Sequence, residues 1–217
     1  MKIGILGSGN VGGTLGTRWA QGGHEVVFSS RDPKSAEMQQ LVSRAGKSTR
    51  AATTREAAAA SEIVVVATPW RPTKAVIGEA GDLTGKIVID VTNPLLPDLS
   101  GLEVGTTTSA AEQIAGWAQG ARVVKAFNTV GYMVMANPEI GGDRAVLFYA
   151  GDDAEAKNIT ARLATELGFN AVDAGPLVQA RLLEPFALLW ITLAMKQGFG
   201  FHWGFKVLQG PGPAPRV

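Results

Sequence analysis

Short apolar runs alternate with longer amphipathic stretches along this chain, the pattern of strands and helices interleaved in a parallel sheet. Lys2 to Leu6 reads as a first strand and Asn10 to Gln21 as the helix after it, closed by Gly22 and Gly23. His24 to Phe28 is a second strand, and Pro33 to Ala45 a second helix with proline in its first turn. A short third strand follows whose place the pattern leaves open, then a helix over Ala51 to Ala60. Ile63 to Ala67 is an unbroken apolar run, expected of a strand covered on both faces. Lys86 to Val91, Ala121 to Phe127 and Ala145 to Ala150 repeat that pattern. Ala154 to Leu167 reads as a helix and Asn170 to Val172 as a last short strand.

Leu177 to Gln197 is a long, strongly apolar helix, and from Gly198 glycines alternate with Phe199, Phe201, Trp203 and Phe205. The chain then runs from Gln209 into an extended, poorly ordered Gly-Pro stretch. The greasiest part of the helix, Pro185 to Met195, is about eleven residues against the about 20 of a membrane span, so a buried helix is expected. The fold predicted is α/β: a Rossmann-type, doubly wound, mostly parallel sheet over residues 1–175, with a short C-terminal helical extension and aromatic tail over residues 176–217. Leu182, Leu183, Phe186, Leu189 and Trp190 recur at helical spacing, and Ala187, Leu188 and Ile191 make the last helix apolar almost all round. Such a helix must be covered on every side. One sheet covers a single side, so a homodimer through this helix and the tail is expected.

Candidate chemistry is concentrated at the first strand–helix junction. Gly7, Ser8, Gly9, Asn10, Val11 and Gly12 spell GxGxxG directly after an apolar strand and at the opening of a helix, the context in which that common pattern binds a dinucleotide. Gly7 permits the turn, Gly9 lets backbone approach a pyrophosphate, and Gly12 lets helix and strand pack. The free N–H groups of the helix N-terminus and its partial positive charge meet the anion. An NAD-binding unit ends its second strand in an acid that takes the ribose 2′-hydroxyl. Here the strand ends Phe28, Ser29, Ser30, Arg31, with Asp32 a step beyond and then Lys34. A carboxylate at the tip would repel a 2′-phosphate, whereas hydroxyls and a guanidinium accept it. The cofactor read from these residues is NADP(H); the alternative is a solvated basic turn in which Arg31 and Lys34 pair with Asp32.

Composition narrows the reaction. With 20 Lys+Arg against 19 Asp+Glu the net charge is +1, so nothing draws the chain in bulk to nucleic acid or anionic lipid, and neither partner is expected. Cysteine is absent, which removes disulfide frameworks, thiolate metal sites and thiol nucleophiles. His24 and His202 are too few and too separated for a histidine metal site or a Ser-His-Asp set. No convincing general acid stands ready for the hydroxyl proton of an alcohol substrate. Hydride transfer between two ring cofactors needs only stacking and exclusion of water, which suits Trp70, Phe127, Met133 and Leu177. No secretory leader is read at the N-terminus, so a cytoplasmic location is expected.

Together these residues resemble the coenzyme F420-dependent NADP reductase family, whose nucleotide fold is shared by the cytosolic domain of the STEAP metalloreductases. The resemblance rests on Gly7 to Gly12, on Ser30 and Arg31, on Thr68, Pro69 and Trp70, and on the run from Asp90 to Leu95. It rests also on Lys125 to Thr129 and on Asp173 to Leu177, followed by Arg181 and Glu184. It implies that Ser8, Asn10 and Val11 line the pyrophosphate and that Ser30 and Arg31 hold the 2′-phosphate. It further implies that Thr68, Pro69 and Trp70 border the groove between adenosine and nicotinamide. The run from Lys125 to Thr129 resembles metalloreductase-like bacterial relatives more than the archaeal deazaflavin enzymes.

Asn93 with Pro94, and Asn128 with Thr129, each follow a strand and so belong at the ligand-bearing edge. There an Asn amide can bond the nicotinamide carboxamide or hold its own loop backbone. Arg181 and Glu184, three apart on the last helix, are expected to pair with each other. Asp173 before Gly175 and Pro176 is expected to make a turn, and His202 to pack among the tail aromatics or touch a partner chain. The reading favoured is NADPH-dependent hydride transfer to or from a flavin-like small-molecule redox carrier, coenzyme F420 preferred. The alternatives are an NADPH:flavin or ferric-chelate reductase, an imine or carbonyl reductase, and a non-catalytic NADPH-binding regulator that keeps the phosphate loop and lacks an acceptor pocket.

Overall fold

A computed structural model describes residues 1–210 and 212. The first half runs β1 Lys2–Leu6, α1 Asn10–Gln21, β2 Glu25–Ser29, α2 Ala36–Ala45, β3 Thr49–Ala52, α3 Thr54–Ala59, β4 Ile63–Val66, α4 Thr73–Ala80 and β5 Ile87–Asp90. Then come α5 Ala110–Trp117, β6 Arg122–Ala126, α6 Tyr132–Ala136, the hairpin β7 Glu139–Ile140 with β8 Asp143–Arg144, and β9 Val146–Gly151. The last elements are α7 Ala154–Leu167, β10 Asn170–Asp173, a 3-10 turn Leu177–Gln179 and α8 Ala180–Lys196.

One eight-stranded sheet holds the order β10-β9-β6-β5-β4-β1-β2-β3. From β3 to β6 the strands are parallel; β9 runs antiparallel to β6 and carries β10 parallel to itself. The chain leaves β1 for β2 on one side and later places β4 on the other. That reversal opens the crevice beyond the carboxyl ends of β1 and β4 where sheets of this kind hold ligands. Strand residues alternate between two apolar layers, as the period of two requires. Ile3, Ile5, Ile63, Val65 and Ile89 bury against Leu15, Trp19, Leu41 and Leu163 on one face. Leu6, Val64, Val66 and Val88 meet Ala57, Ile77 and Ile114 on the other. The doubly wound, mostly parallel architecture expected from the sequence is the one found.

Several local expectations change. The unplaced third strand is Thr49–Ala52, paired with Val26 to Ser29, so the helix expected from Ala51 starts at Thr54. Thr53 closes that start with a capping box to Glu56, which decides the boundary against the helix-forming alanines. The second helix begins at Ala36 and not at Pro33, because Ser35 accepts from the Met38 N–H and caps it. Helices α4 and α5 had no periodic signal strong enough to be read; Gly78 and Gly116 dilute them.

Helix α8 with its preceding turn spans 20 residues, Leu177–Lys196, close to the helix expected from the sequence, and is long and apolar enough by length and composition to cross a membrane. Ala180, Leu183, Glu184, Ala187, Trp190 and Ala194 are buried in the domain. The tail covers another side of the same helix: Trp203 stacks on Trp190 at 5.4 Å, and Phe205 lies 4.4 Å from Phe186. The Phe205 carbonyl accepts from the Val146 N–H, which anchors the tail at the start of β9. His202 is exposed, so it does not pack among the tail aromatics. Of the Gly-Pro stretch expected from Gln209, Pro211 and the residues from 213 onward lie outside the described residues.

Candidate functional site

The loop between β1 and α1 is shaped by its glycines. Gly7 adopts a φ of 101°, in the left-handed region, and a Cβ on it would press into the Ala67 backbone. A Cβ on Gly12 would overlap the Gly7 carbonyl oxygen and the Ile5 side chain, so α1 can lie on β1 only with glycine there. Gly9 differs. It is the N-terminal cap of α1, and a Cβ on it would meet nothing within 4 Å. No side chain caps this helix and no acid stands in its first turn, so its leading N–H groups face an open space fit for a pyrophosphate.

Two serines assigned to ligand binding turn out to brace the loop. Ser8 Oγ donates to the Ser29 carbonyl at 2.9 Å, and Ser29 Oγ accepts from the Gly7 N–H at 3.3 Å. Ser29 is buried, so its hydroxyl locks the tip of β2 to the loop and does not serve a 2′-phosphate. Ser30 Oγ accepts from the Asp32 N–H, and Asp32 accepts from the Lys34 N–H. Asp32 is thus spent on its own turn. Arg31 and Lys34 are exposed and form no ion pair among the described residues, so the basic turn paired with Asp32 is not formed.

After β4, Thr68 and Thr73 share a 2.8 Å hydroxyl bond, and Thr73 donates to the Pro69 carbonyl. Trp70 stacks on Trp117 of α5 at 5.4 Å, with the Lys74 ammonium 5.8 Å from the Trp117 ring. Trp70 is therefore itself supported by a second tryptophan. Leu177, which the sequence offered for ring stacking, is buried with Val64 and Val88 in the second apolar layer.

At the ends of β5 and β6 the two asparagines meet. Asn93 Nδ2 donates to the Asn128 carbonyl at 3.0 Å, and Asn128 Nδ2 donates to Asn93 Oδ1 and to the Leu183 carbonyl. Because two of these acceptors are carbonyls, both amide orientations are fixed. Asn128 is buried and Asn93 half-buried, so Asn128 holds the loop and Asn93 faces outward. Phe127 just before them has a φ of 61°, costly for a residue with a Cβ, and is held there between Trp19 and Phe169. Asn128 Oδ1, Thr92 Oγ1 and Thr129 Oγ1 are buried without a partner among the described residues, an unusual concentration of unpaired polar atoms at one edge.

Sequence reasoning missed the charges beneath this edge. Lys125 of β6 has no solvent exposure; its ammonium donates to Asp90 at 2.9 Å, to the Thr92 carbonyl at 2.7 Å and to Glu184 at 2.9 Å. Glu184 also accepts from the Ala110 and Ala111 N–H groups and so caps α5. Burial alone would lower the Lys125 ammonium, but Asp90 and Glu184 hold it above the usual lysine range. Burial pushes the Glu184 carboxyl up, with Lys125 opposing. Arg181 pairs instead with Glu112 of α5, at 2.6 and 2.9 Å through two nitrogens, so the expected Arg181–Glu184 pair does not form. Two unlike partners on distant elements outcompete the helical neighbour. Asp173 does make its turn, accepting from the Gly175 N–H, and also pairs with Lys157.

Residues 2–94 match the family model described as NADP oxidoreductase, coenzyme F420-dependent. The F420-dependent NADP reductase of Methanothermobacter marburgensis is 32% identical over 210 residues, covering 90% of this chain and 93% of that protein. Rat metalloreductase STEAP3 is 32% identical over 192 residues, 86% of this chain but only 36% of the metalloreductase, so the chain spans about a third of that relative. A crystal structure of a candidate F420-dependent NADP reductase from Arthrobacter sp. FB24 superposes with a TM-score of 0.87 at 34% identity, covering 96% of this chain and all of the other. A reductive aminase from Aspergillus terreus shares the fold at a TM-score of 0.67 and 23% identity, over 91% of this chain and 63% of its own.

Proposed function

The chain belongs to the F420-dependent NADP reductase family and is an NADP-dependent oxidoreductase; from that premise we propose that it moves hydride between NADP(H) and a flavin-like carrier, coenzyme F420 preferred. The observation that carries the reading is the β1–α1 loop, with open space at Gly9, uncapped helix N–H groups, and a β2 tip whose Asp32 is spent on its own turn. In this reading Ser8, Asn10 and Val11 line the pyrophosphate, and Ser30, Arg31 and Lys34 take the 2′-phosphate. Thr68, Pro69 and Trp70 form one wall of the groove, and Asn93 with Pro94, steadied by Asn128, marks its nicotinamide end. The nicotinamide, when bound, supplies or receives the hydride.

The chain's own work is to bind, orient and exclude water. Asp90, Lys125 and Glu184 are buried and bonded to one another, so none is free to pass a proton to a substrate. That favours a carrier whose ring nitrogen exchanges its proton with water over an alcohol or ketone. Within the same proposal, residues 1–175 bind NADP(H), residues 176–217 complete the acceptor site and a homodimer interface, and the protein works in the cytoplasm. A second reading, NADPH:flavin or ferric-chelate reduction, is favoured by the likeness to the metalloreductase over 192 residues.

Stopped-flow absorbance at the NADPH band, run against deazaflavin, FMN, FAD and ferric chelates, tests both. Fastest oxidation with the deazaflavin supports the first; with flavin or ferric chelate, the second. Tight NADPH binding with no acceptor turning over would leave a regulator.

A further inference from the structure

The buried ion cluster takes no direct part in the hydride transfer, yet it is costly to build. Charges removed from water are repaid only when fully paired, and an apolar substitute is often as stable. Lys125, Asp90 and Glu184 are each at most 1% exposed. Their placement is specific: they join the ends of β5 and β6 to α8, and through Glu184 to the first N–H groups of α5. One residue before Glu184 on α8 is Leu183, whose carbonyl fixes the Asn128 amide. Asn128 in turn fixes Asn93, which is the half-exposed member of the pair.

Asn93 makes only some of the bonds an amide can make. One Nδ2 hydrogen goes to the Asn128 carbonyl and one Oδ1 lone pair takes the Asn128 amide. A donor and an acceptor remain on the same side chain, the complement of another primary amide. The nicotinamide ring carries one.

We propose that Lys125 and Glu184 are positioning residues for the nicotinamide half of the site: by clamping α8 to the strand ends they set Leu183 and Asn128, and so present Asn93 to the carboxamide. This rests on the NADP(H) reading above and adds which part of the cofactor the buried cluster serves.

The test compares two ligands by equilibrium binding: NADP+, and 2′-phospho-ADP-ribose, which is the same molecule without nicotinamide. The ratio of their dissociation constants isolates the nicotinamide half. The native protein should bind NADP+ about tenfold more tightly, about 1.4 kcal/mol. In Asn93→Ala, Glu184→Gln and Lys125→Met the ratio should fall to within about twofold of one, while 2′-phospho-ADP-ribose binds as before. Lys125→Met leaves two buried carboxylates unpaired and can fail to fold; Asn93→Ala, at a half-exposed position, and Glu184→Gln, which keeps the shape, still give the answer. A ratio that stays near tenfold in folded Glu184→Gln overturns the proposal, as does equal weakening of both ligands, which would make the cluster merely structural. If neither ligand binds the native protein, it is the NADP(H) reading that fails. If both bind it equally, the positioning proposal alone fails.

Discussion

Gly12 and Gly7 touch so closely across the β1–α1 turn that a Cβ on the first would overlap the carbonyl oxygen of the second, whereas Gly9 between them has empty space on its side-chain face. The three glycines of one motif therefore do different physical work, and substitution separates them. Gly9→Val should leave the melting temperature near native and abolish NADPH binding, because the new branch fills the place of the pyrophosphate. Gly12→Val should lower stability by about 1–3 kcal/mol or more through overpacking. Calorimetry alongside a binding titration checks the pair. Retained NADPH affinity in Gly9→Val would sink the loop assignment.

Arg31 is the residue expected to set the cofactor preference. It is exposed, free of ion pairs among the described residues, and follows two serines of which Ser29 is buried and Ser30 is half-exposed at the tip. Arg31→Ala should cost NADPH about 1.5–3 kcal/mol, roughly ten- to hundredfold in affinity, and spare NADH. Native protein should prefer NADPH by at least about tenfold. Equal losses for both cofactors would make Arg31 a structural residue.

How much of this was legible follows from where each signal lives. The phosphate loop, the β2 tip and the strands around them are spelled by neighbouring residues, so Gly7 to Gly12 and Ser30 to Lys34 could be read directly. The reversal of β9 and the short β3 are set by pairing with strands distant in sequence, which no local pattern records. Ser29 looked like a ligand because its residue type fits a phosphate; its burial against Gly7 is a tertiary fact. The ion cluster had a readable trace. Lys125 lies inside the apolar strand run Ala121 to Phe127 and Glu184 borders the greasiest part of the last helix, and two opposite charges set in buried elements are candidates to meet. Reading Glu184 only against Arg181, its neighbour on the helix, hid that.

The oligomer is open to measurement. The tail covers part of α8 through Trp203 and Phe205, but Leu182, Leu189, Met195, Phe199 and Phe201 remain exposed. A run of apolar side chains this large is seldom left facing water. Light scattering at micromolar concentration should give a dimer, and Leu182→Glu with Leu189→Glu should give a monomer that keeps its fold. A native monomer would mean that the folded-back tail is all the covering α8 has.

The acceptor should be a planar tricyclic ring reduced without a protein general acid. His24 is tied to Glu166 by a 2.7 Å bond on a surface formed with α7, and His202 sits exposed on the tail. At the ends of β5 and β6 the charged cluster is buried, and Lys125 is held charged by its two carboxylates. Stacking two rings at about 3–3.5 Å is then the chain's main contribution. Burial raises the Glu184 carboxyl, so the arrangement with Glu184 as a carboxylate bonded to Lys125 and α5 exists above that raised value. Any loss of rate should therefore come as pH falls and Glu184 takes a proton, with a flat profile above that. Trp70→Ala should lower turnover by about ten- to hundredfold, more than it lowers NADPH affinity, since its ring is a wall braced by Trp117. A bell-shaped profile whose alkaline limb vanishes with His202→Ala would restore a protein acid. So would a simple ketone or imine outpacing every flavin-like compound, because such a substrate needs its proton delivered in the transition state.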